Sequence, residues 1–244
     1  MAFELAATPF RRLKLASFAP LISAERAVCP KCKSSRKYFC YTCFIPVGIS
    51  ESSLPTVELP LQVDIIKHSL ERVGKSTSSH ARILSPHSVN IHIYPDIPSY
   101  SDTNKVLLLF PGPETPSLDS LLPGKTTEHK QCSTGVSSAK RQRLQRPLCE
   151  RLIVVDSTWS QAKRITADDR LHDIPRVQLK QAETFFWRKQ SKPSHYLATI
   201  EAIYYFFKQL HELQEERSYD GQYDNLLYFF AFQYLLIKNK KETK

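Results

Sequence analysis

The chain has 244 residues, enough to bury a full core as one α/β domain or as one domain with a small module. Hydrophobic residues make up 41%, and no run approaches the roughly 18–20 apolar residues of a membrane span, which excludes a membrane-embedded class and predicts a soluble protein. Lys and Arg number 34 against 24 Asp and Glu, a formal charge of +10 that favours polyanions such as RNA or DNA, with a solubilising basic surface as the plainer alternative.

The first 20 residues hold no continuous apolar block and no cleavage-site pattern, so no secretory leader is expected, although Arg11, Arg12 and Lys14 make the start mildly basic. Six cysteines without a secretion signal point to thiols, not disulfides. Four of them form two Cys-x-x-Cys pairs, Cys29-Pro30-Lys31-Cys32 and Cys40-Tyr41-Thr42-Cys43, separated by seven residues. Each pair can grip one ion from a tight knuckle, and four thiolates suit the closed tetrahedral shell of structural zinc. The separation is shorter than the usual ribbon spacing of about 15–20 residues. Residues 1–50 are therefore expected to contain a small four-cysteine zinc module, with Lys31, Lys33, Arg36 and Lys37 around it to offset thiolate charge or touch RNA. Two reduced, unmetallated pairs are the alternative.

A Pro, Ser and Glu linker at 46–59 leads to a larger domain at 58–244. Residues 61–66 read as a strand, followed by Lys67-His68 and Glu71, and a helix is predicted from Ser76 to Leu84. Gly74-Lys75-Ser76 looks like the end of a phosphate-binding P-loop, but Ser69 stands where that loop needs its first glycine, so a nucleotide-triphosphatase is rejected. Residues 89–94 alternate as a strand, and 105–110, with its continuous apolar run at 106–110, predicts a central strand covered on both faces. It breaks into Pro111-Gly112-Pro113, where Gly112 allows a close backbone approach to a ligand or simply makes a turn. Residues 115–148 are rich in Ser, Thr, Gln, Lys and Arg and predict a flexible insertion. Its cluster Lys140-Arg141-Gln142-Arg143 with Arg146 suggests RNA contact or nuclear import, hence a nuclear location with cytoplasmic residence also allowed.

The stretch that organises the domain comes next. Residues 152–155 predict a buried strand, Asp156 or Ser157 a helix cap, and 160–169 a short polar helix. In an open α/β sheet, ligands bind beyond the carboxyl ends of the strands, where this junction delivers a carboxylate, two hydroxyls and the Trp159 indole. Another strand is expected at 176–180, and the mixture Phe185-Phe186-Trp187-Arg188-Lys189 could stack bases and hold phosphates or merely bury its rings. A long helix is predicted over 194–210 with Ser194 as its cap and Glu201 favoured near its positive end, and a strongly apolar helix over 221–238 precedes a lysine-rich tail.

Asp156-Ser157-Thr158-Trp159 matches the Asp-X-Thr-Trp signature of the DTW-domain family. The resemblance extends to the double Cys-x-x-Cys with its Phe39-Cys40-Tyr41-Thr42-Cys43 wording, to His68-Ser69-Leu70-Glu71 (which lacks the family's proline), to Phe110-Pro111-Gly112-Pro113 and to Ala198-Thr199-Ile200-Glu201-Ala202. It fails only across 115–148. It implies a SPOUT-like, mostly parallel sheet with flanking helices and a C-terminal trefoil knot, and a transfer of the 3-amino-3-carboxypropyl (acp) group from S-adenosylmethionine to N3 of a tRNA uridine in the D-loop, at position 20.

By that resemblance Asp156, Thr158 and Trp159 are the catalytic candidates, with Asp156 as base or uracil-orienting group and Trp159 as a stacking platform or a core residue. Phe110, Pro111, Gly112, Ser157, Thr199 and Glu201 are expected around the donor, with Glu201 or Thr199 on its amino group. His68, Glu71, Arg188 and Lys189 are expected against RNA, although His68 as a strand-end histidine bonded to a backbone carbonyl is the plainer alternative. Cys29, Cys32, Cys40 and Cys43 would hold zinc. Rival functions are an RNA methyltransferase using the same donor, a non-enzymatic zinc-containing RNA-binding module, and an acp transferase directed to rRNA.

Overall fold

The computed structural model describes residues 5–71, 74–121, 148–180, 182–187, 196–214 and 218–242. Ser194, Arg188, Lys189 and the basic cluster at 140–146 lie outside the described residues, as does most of the 115–148 insertion. Among the described residues, no helix is long and apolar enough to cross a membrane.

After a single turn, α1 (Ala19–Ile22), two small antiparallel hairpins carry the cysteine pairs: β1 (Ala27–Val28) with β2 (Ser35–Arg36), and β3 (Phe39–Cys40) with β4 (Ile45–Pro46). Gly48 closes this region at φ +75°, where a Cβ would overlap the Glu25 carbonyl oxygen, so only glycine fits. The main sheet follows with β5 (Gln62–His68), α2 (Ser78–Leu84), β6 (Val89–Tyr94), β7 (Val106–Leu109), β8 (Arg151–Asp156), α3 (Trp159–Thr166), α4 (Asp169–His172), β9 (Arg176–Val177), α5 (Thr199–Gln214) and α6 (Tyr228–Glu242). Its five strands lie in the order β6-β5-β8-β7-β9, and every pair is parallel.

The expected α/β architecture is therefore present, and the strand sequences explain its two covered faces. On β7, Leu107 and Leu109 enter one apolar cluster while Val106 and Leu108 enter a second. On β8, Leu152 and Val154 face the first cluster and Ile153 the second. A continuous apolar run is what a parallel strand buried on both sides requires. The first cluster is completed by Ala81 and Leu84 of α2, Ile200, Ile203 and Phe207 of α5, and Phe229 and Phe230 of α6. The second is closed by Ile165 of α3 with Leu171 and Ile174.

The same first cluster takes in Phe10, Phe18 and Phe39 from the N-terminal region. Phe39 lies 4.8 Å from the Phe229 ring, and Phe10 stands edge-on to Phe230 at 6.0 Å. Lys14 N–H donates to Asp224 Oδ2 at 2.7 Å and Ala16 N–H to Asn225 Oδ1 at 2.8 Å. The cysteine-bearing region is thus packed onto the sheet domain through aromatic contacts and backbone clamps.

Several predicted boundaries move. The helix expected at 160–169 is split into α3 and α4, because Asp168 accepts the Arg170 N–H at 3.2 Å and starts a new turn. The helix expected from 194 begins at Thr199 and runs to Gln214, and the one expected at 221–238 becomes a 3₁₀ turn, Asp224–Leu227, followed by α6. The strand expected at 176–180 keeps only Arg176 and Val177, plus one bridge from Gln178 to Ser117.

Candidate functional site at the carboxyl ends of the central strands

The chain leaves β5 toward β6 on one side of the sheet and leaves β8 toward β9 on the other. These diverging connections open a crevice at the carboxyl ends of β5 and β8, the position where ligands bind in open parallel sheets. The register places Lys67 beside Asp156 across that crevice.

The junction after β8 differs locally from the sequence expectation. Neither Asp156 nor Ser157 caps α3. Thr158 is the capping residue, in extended conformation, and Gln161 Oε1 accepts both its N–H at 3.1 Å and its hydroxyl at 2.7 Å. Asp156 is released from capping and turns inward. It is 4% exposed, its Oδ2 accepts the Ser76 hydroxyl at 2.5 Å and its Oδ1 accepts the Thr199 hydroxyl at 2.7 Å. Lys67 Nζ stands 3.9 Å from Oδ2, and both side chains are almost fully buried. A buried carboxylate is tolerable only with such partners.

Thr199 is the first residue of α5, whose start is capped from elsewhere in the chain. Ala198 has no capping side chain, so Thr77 Oγ1 accepts the Ile200 N–H at 3.1 Å. Glu201 completes the cap by accepting the Ala198 N–H at 2.8 Å, as the third-position acid of a capping box does. The Glu201 carboxylate also accepts from Thr184 Oγ1 at 2.5 Å and Phe185 N at 2.7 Å. Burial pushes its pKa up, against the three hydrogen bonds that pull it down. Its carboxylate is occupied in tying 184–185 to α5, and it lines neither of the cavities described next.

Trp159 opens α3 half-buried, 4.3 Å edge-on from the Tyr196 ring and 5.8 Å from Phe110. Two cavities meet at these rings. One, of about 440 Å³, is mainly apolar and runs under Leu109, Phe110, Pro111, Val154, Val155, Leu179 and Ala202. The other is an open cleft of about 980 Å³ that contains Asp156, Ser76, Thr77, Glu71, Lys75 and Lys163. Phe110, Pro111, Ser157, Trp159, Tyr196, Leu197 and Thr199 line both.

The structure therefore brings Phe110, Pro111, Asp156, Ser157, Thr158, Trp159, Thr199 and Glu71 to one place. Gly112 does not join them, because the loop turns back there with its carbonyl accepting the Thr115 N–H at 3.2 Å. His68 is also absent from both linings. It is 9% exposed, its Nδ1 accepts the Leu70 N–H at 3.1 Å and its ring stacks on Tyr94. It holds a turn by accepting a backbone N–H, where donation to a carbonyl was the plainer expectation. Lys67, Ser76, Thr77 and Tyr196 escaped the sequence reading. Lys67 carried a signal, as a cation directly after Ile65-Ile66 near the end of its strand, and Ser76-Thr77 lay in or beside the segment set aside as a failed P-loop.

The four cysteines form a second centre. Their sulfurs all lie within 4.8 Å of one another. Four sulfurs roughly 2.3 Å from a tetrahedral ion would be about 3.8 Å apart, so the cluster fits such an ion. The two knuckles are alike: Lys33 and Phe44 follow the second cysteines at φ 61° and 55°, and each donates its N–H to the carbonyl of the first cysteine of its pair, at 2.9 and 2.7 Å. Hydrogen bonds from Ser34 pull Cys32 down to about 6, while burial pushes Cys43 up to about 12.

The chain is similar to known proteins over most of its length. The profile of the DTW domain matches residues 37–238. The chain is 40% identical over 257 residues to the tRNA-uridine aminocarboxypropyltransferase 1 of Xenopus tropicalis, covering 96% of this chain and 87% of that one. It is 40% identical to the proteins of that name from Mus musculus and Homo sapiens, over 259 and 263 residues, each with 96% of this chain and 85% of the relative covered. No solved structure matches the chain significantly.

Proposed function

The chain belongs to the DTW-domain family, and on that footing we propose that it is a tRNA-uridine aminocarboxypropyltransferase. The donor is S-adenosylmethionine and the acceptor is N3 of a D-loop uridine, at position 20. The observation that carries this reading is the meeting of a mainly apolar cavity and a wider cleft of mixed lining at Trp159 and Thr199, with Asp156 in the cleft. The apolar cavity suits an adenosine and a thioether. The open cleft suits a uracil splayed from RNA, with Lys75 and Lys163 near its phosphates.

The reaction is a displacement at carbon. N3 forms a bond to the γ-carbon, the carbon–sulfur bond breaks, and its electron pair stays on the sulfur of departing methylthioadenosine. The N3 proton must go to a base. Asp156 accepts one hydroxyl on each carboxylate oxygen and retains further acceptor capacity, so it takes that proton or orients the uracil edge. The rings of Phe110, Trp159 and Tyr196 offer π-faces to a sulfonium. Thr158 contributes by fixing the start of α3, and so the place of Trp159. Alignment of this kind supplies up to about 7–11 kcal/mol of barrier reduction in model systems.

Zinc belongs to the same proposal, held by Cys29, Cys32, Cys40 and Cys43 in a structural role. So do the C-terminal knot implied by the SPOUT likeness, and a nuclear location based on the basic cluster at 140–146. Mass spectrometry of nucleosides after incubation with unmodified tRNA and donor tests the reading. A gain of one acp group on uridine is expected. A gain of one methyl would make the protein a methyltransferase. No gain and no donor binding would leave a zinc-containing RNA-binding module.

A further inference from the structure

The hairpin that carries the first cysteine pair is charged with one sign only. From Arg26 to Lys37 the chain holds five cations, Arg26, Lys31, Lys33, Arg36 and Lys37, and no acid. Arg26, Lys31 and Lys33 are exposed, and Arg36 and Lys37 are half-buried. Among the described residues none of the five makes an ion pair, and neither does Glu25, the adjoining acid. The register sets Ala27 opposite Arg36, so Arg26 and Lys37, one position further out, come side by side. Like charges set opposite each other in a hairpin repel. A surface kept only for solubility intersperses both signs and avoids that cost. A divalent ion on four thiolates carries a net charge of about −2, which offsets part of this excess and leaves the rest without a counter-charge.

Two of these cations are held in place. Lys33 Nζ donates to the Pro30 carbonyl at 2.9 Å, and the Arg36 guanidinium lies 4.1 Å from the centre of the Tyr41 ring while donating to the Ser35 carbonyl at 3.1 Å. A guanidinium stacked in this way keeps donors for a phosphate and loses less freedom on binding one. The hairpin is also tied to the body of the protein. Tyr38, beside Lys37, meets Phe232 edge-on at 5.4 Å, and Phe39 meets Phe229 of α6 and His80 of α2. Ser76 and Thr77, which lead into α2, line the cleft, whereas none of the five cations lines either cavity. We infer that the hairpin at 26–37 is a second RNA contact, which grips backbone phosphates of the substrate outside the cleft that receives the uridine. This rests on the reading of that cleft as a site for a tRNA uridine. The cleft then recognises the base, and the hairpin adds affinity for a large folded RNA and none for a short uridine oligonucleotide.

The experiment uses the full chain with Arg26→Gln, Lys31→Gln and Lys37→Gln combined, leaving Lys33 and Arg36 to hold the knuckle. A charge-keeping control combines Arg26→Lys, Lys31→Arg and Lys37→Arg. Binding to unmodified tRNA is titrated between about 50 and 200 mM salt, since each phosphate contact contributes a slope of about one to the dependence of log K on log salt. The neutral variant is expected to show a slope shallower by about 2–3 and a tRNA dissociation constant raised about tenfold or more at low salt. The control is expected to match the wild type. Affinity for a uridine trinucleotide and for S-adenosylmethionine should be unchanged, and the melting temperature should stay level or rise as the repulsion is relieved. Unchanged tRNA affinity and slope overturn the inference, as does an equal loss for tRNA and trinucleotide, or a control as weak as the neutral variant. Loss of binding to phosphatidylserine vesicles with tRNA binding intact overturns it in favour of a membrane contact. A wild type that binds tRNA with the expected difference from the variant but transfers no acp group fails the proposed function and upholds the contact, so the two failures are separate.

Discussion

Thr77 Oγ1 accepts the N–H of Ile200 at 3.1 Å, across 123 positions of sequence. One side chain at the threshold of α2 thus caps α5, and the two helices that flank Asp156 are fixed to each other at their amino ends. Thr77→Val leaves the Ile200 N–H buried without an acceptor, which costs about 1–3 kcal/mol. In a domain of this size each kcal/mol lowers the melting temperature by about 2–4 °C, so calorimetry should show a fall of several degrees, largely restored in Thr77→Ser. A variant melting with the wild type would show that the bond contributes nothing.

Asp156→Asn keeps the shape of the residue but removes its charge and basicity. Loss of a positioned proton acceptor lowers rates by about 10²–10⁴-fold. Single-turnover transfer to tRNA, at saturating donor, is expected to fall by at least 100-fold while the chain stays folded. Full transfer by the variant would take the proton-accepting role away from Asp156.

Trp159 lines both cavities where they meet and packs against Tyr196 and Phe110. Trp159→Ala merges the two and removes a π-surface. Stacking losses of this kind are about 1–3 kcal/mol, so the dissociation constant for donor or a uridine oligonucleotide should rise about tenfold or more. Trp159→Phe should recover part of it, and unchanged titrations for both ligands would identify the indole as a packing residue alone.

Metal removal is expected to act at a distance. Phe39 adjoins Cys40 on β3 and packs on Phe229 at 4.8 Å and on His80 at 5.4 Å, so loosening the knuckles also loosens α2 and α6. Chelation, or Cys40→Ser, should lower the melting temperature of the whole chain and reduce transfer together. Re-added zinc should restore both for the chelated wild type, with one equivalent recovered by metal analysis. A melt insensitive to chelation would separate the cysteines from stability.

His80 gives the protein an acid limb. It is fully buried between Phe39 and Phe229, and that burial lowers its pKa from 6.5 to about 3. The folded state holds it neutral while the unfolded chain protonates it below about 6.5, so its contribution to stability is complete above that pH and is lost as pH falls from 6.5 toward 3. The slope is at most about 1.4 kcal/mol per pH unit. Urea melts at pH 5 and 7 should differ less for His80→Phe than for the wild type. An equal difference in both would place the acid sensitivity elsewhere.

The Asp64 carboxylate shows how pattern misses partners. Periodicity places it in a strand, but only the folded sheet brings Arg151 to 2.8 Å and Tyr100 to 3.1 Å, which makes its burial possible. The same limit governs helix ends: Ser194 is the local candidate for a cap, while α5 begins at Thr199 with a cap supplied by Thr77, just before α2. Residue chemistry fixed the continuous apolar runs of β7 and β8, the spacing of the cysteine pairs, and the strand–turn–helix at Asp156 to Trp159, because each depends on neighbours along the chain. Tertiary structure alone decided that Glu201 is bonded to Thr184, Phe185 and Ala198, that Lys67 stands beside Asp156, and that the Thr199 hydroxyl donates to Asp156 where the two cavities meet. Those outcomes depend on which distant donors and acceptors meet after the sheet closes, and hydrogen-bond valence, unlike hydrophobic period, leaves no mark in the order of residues.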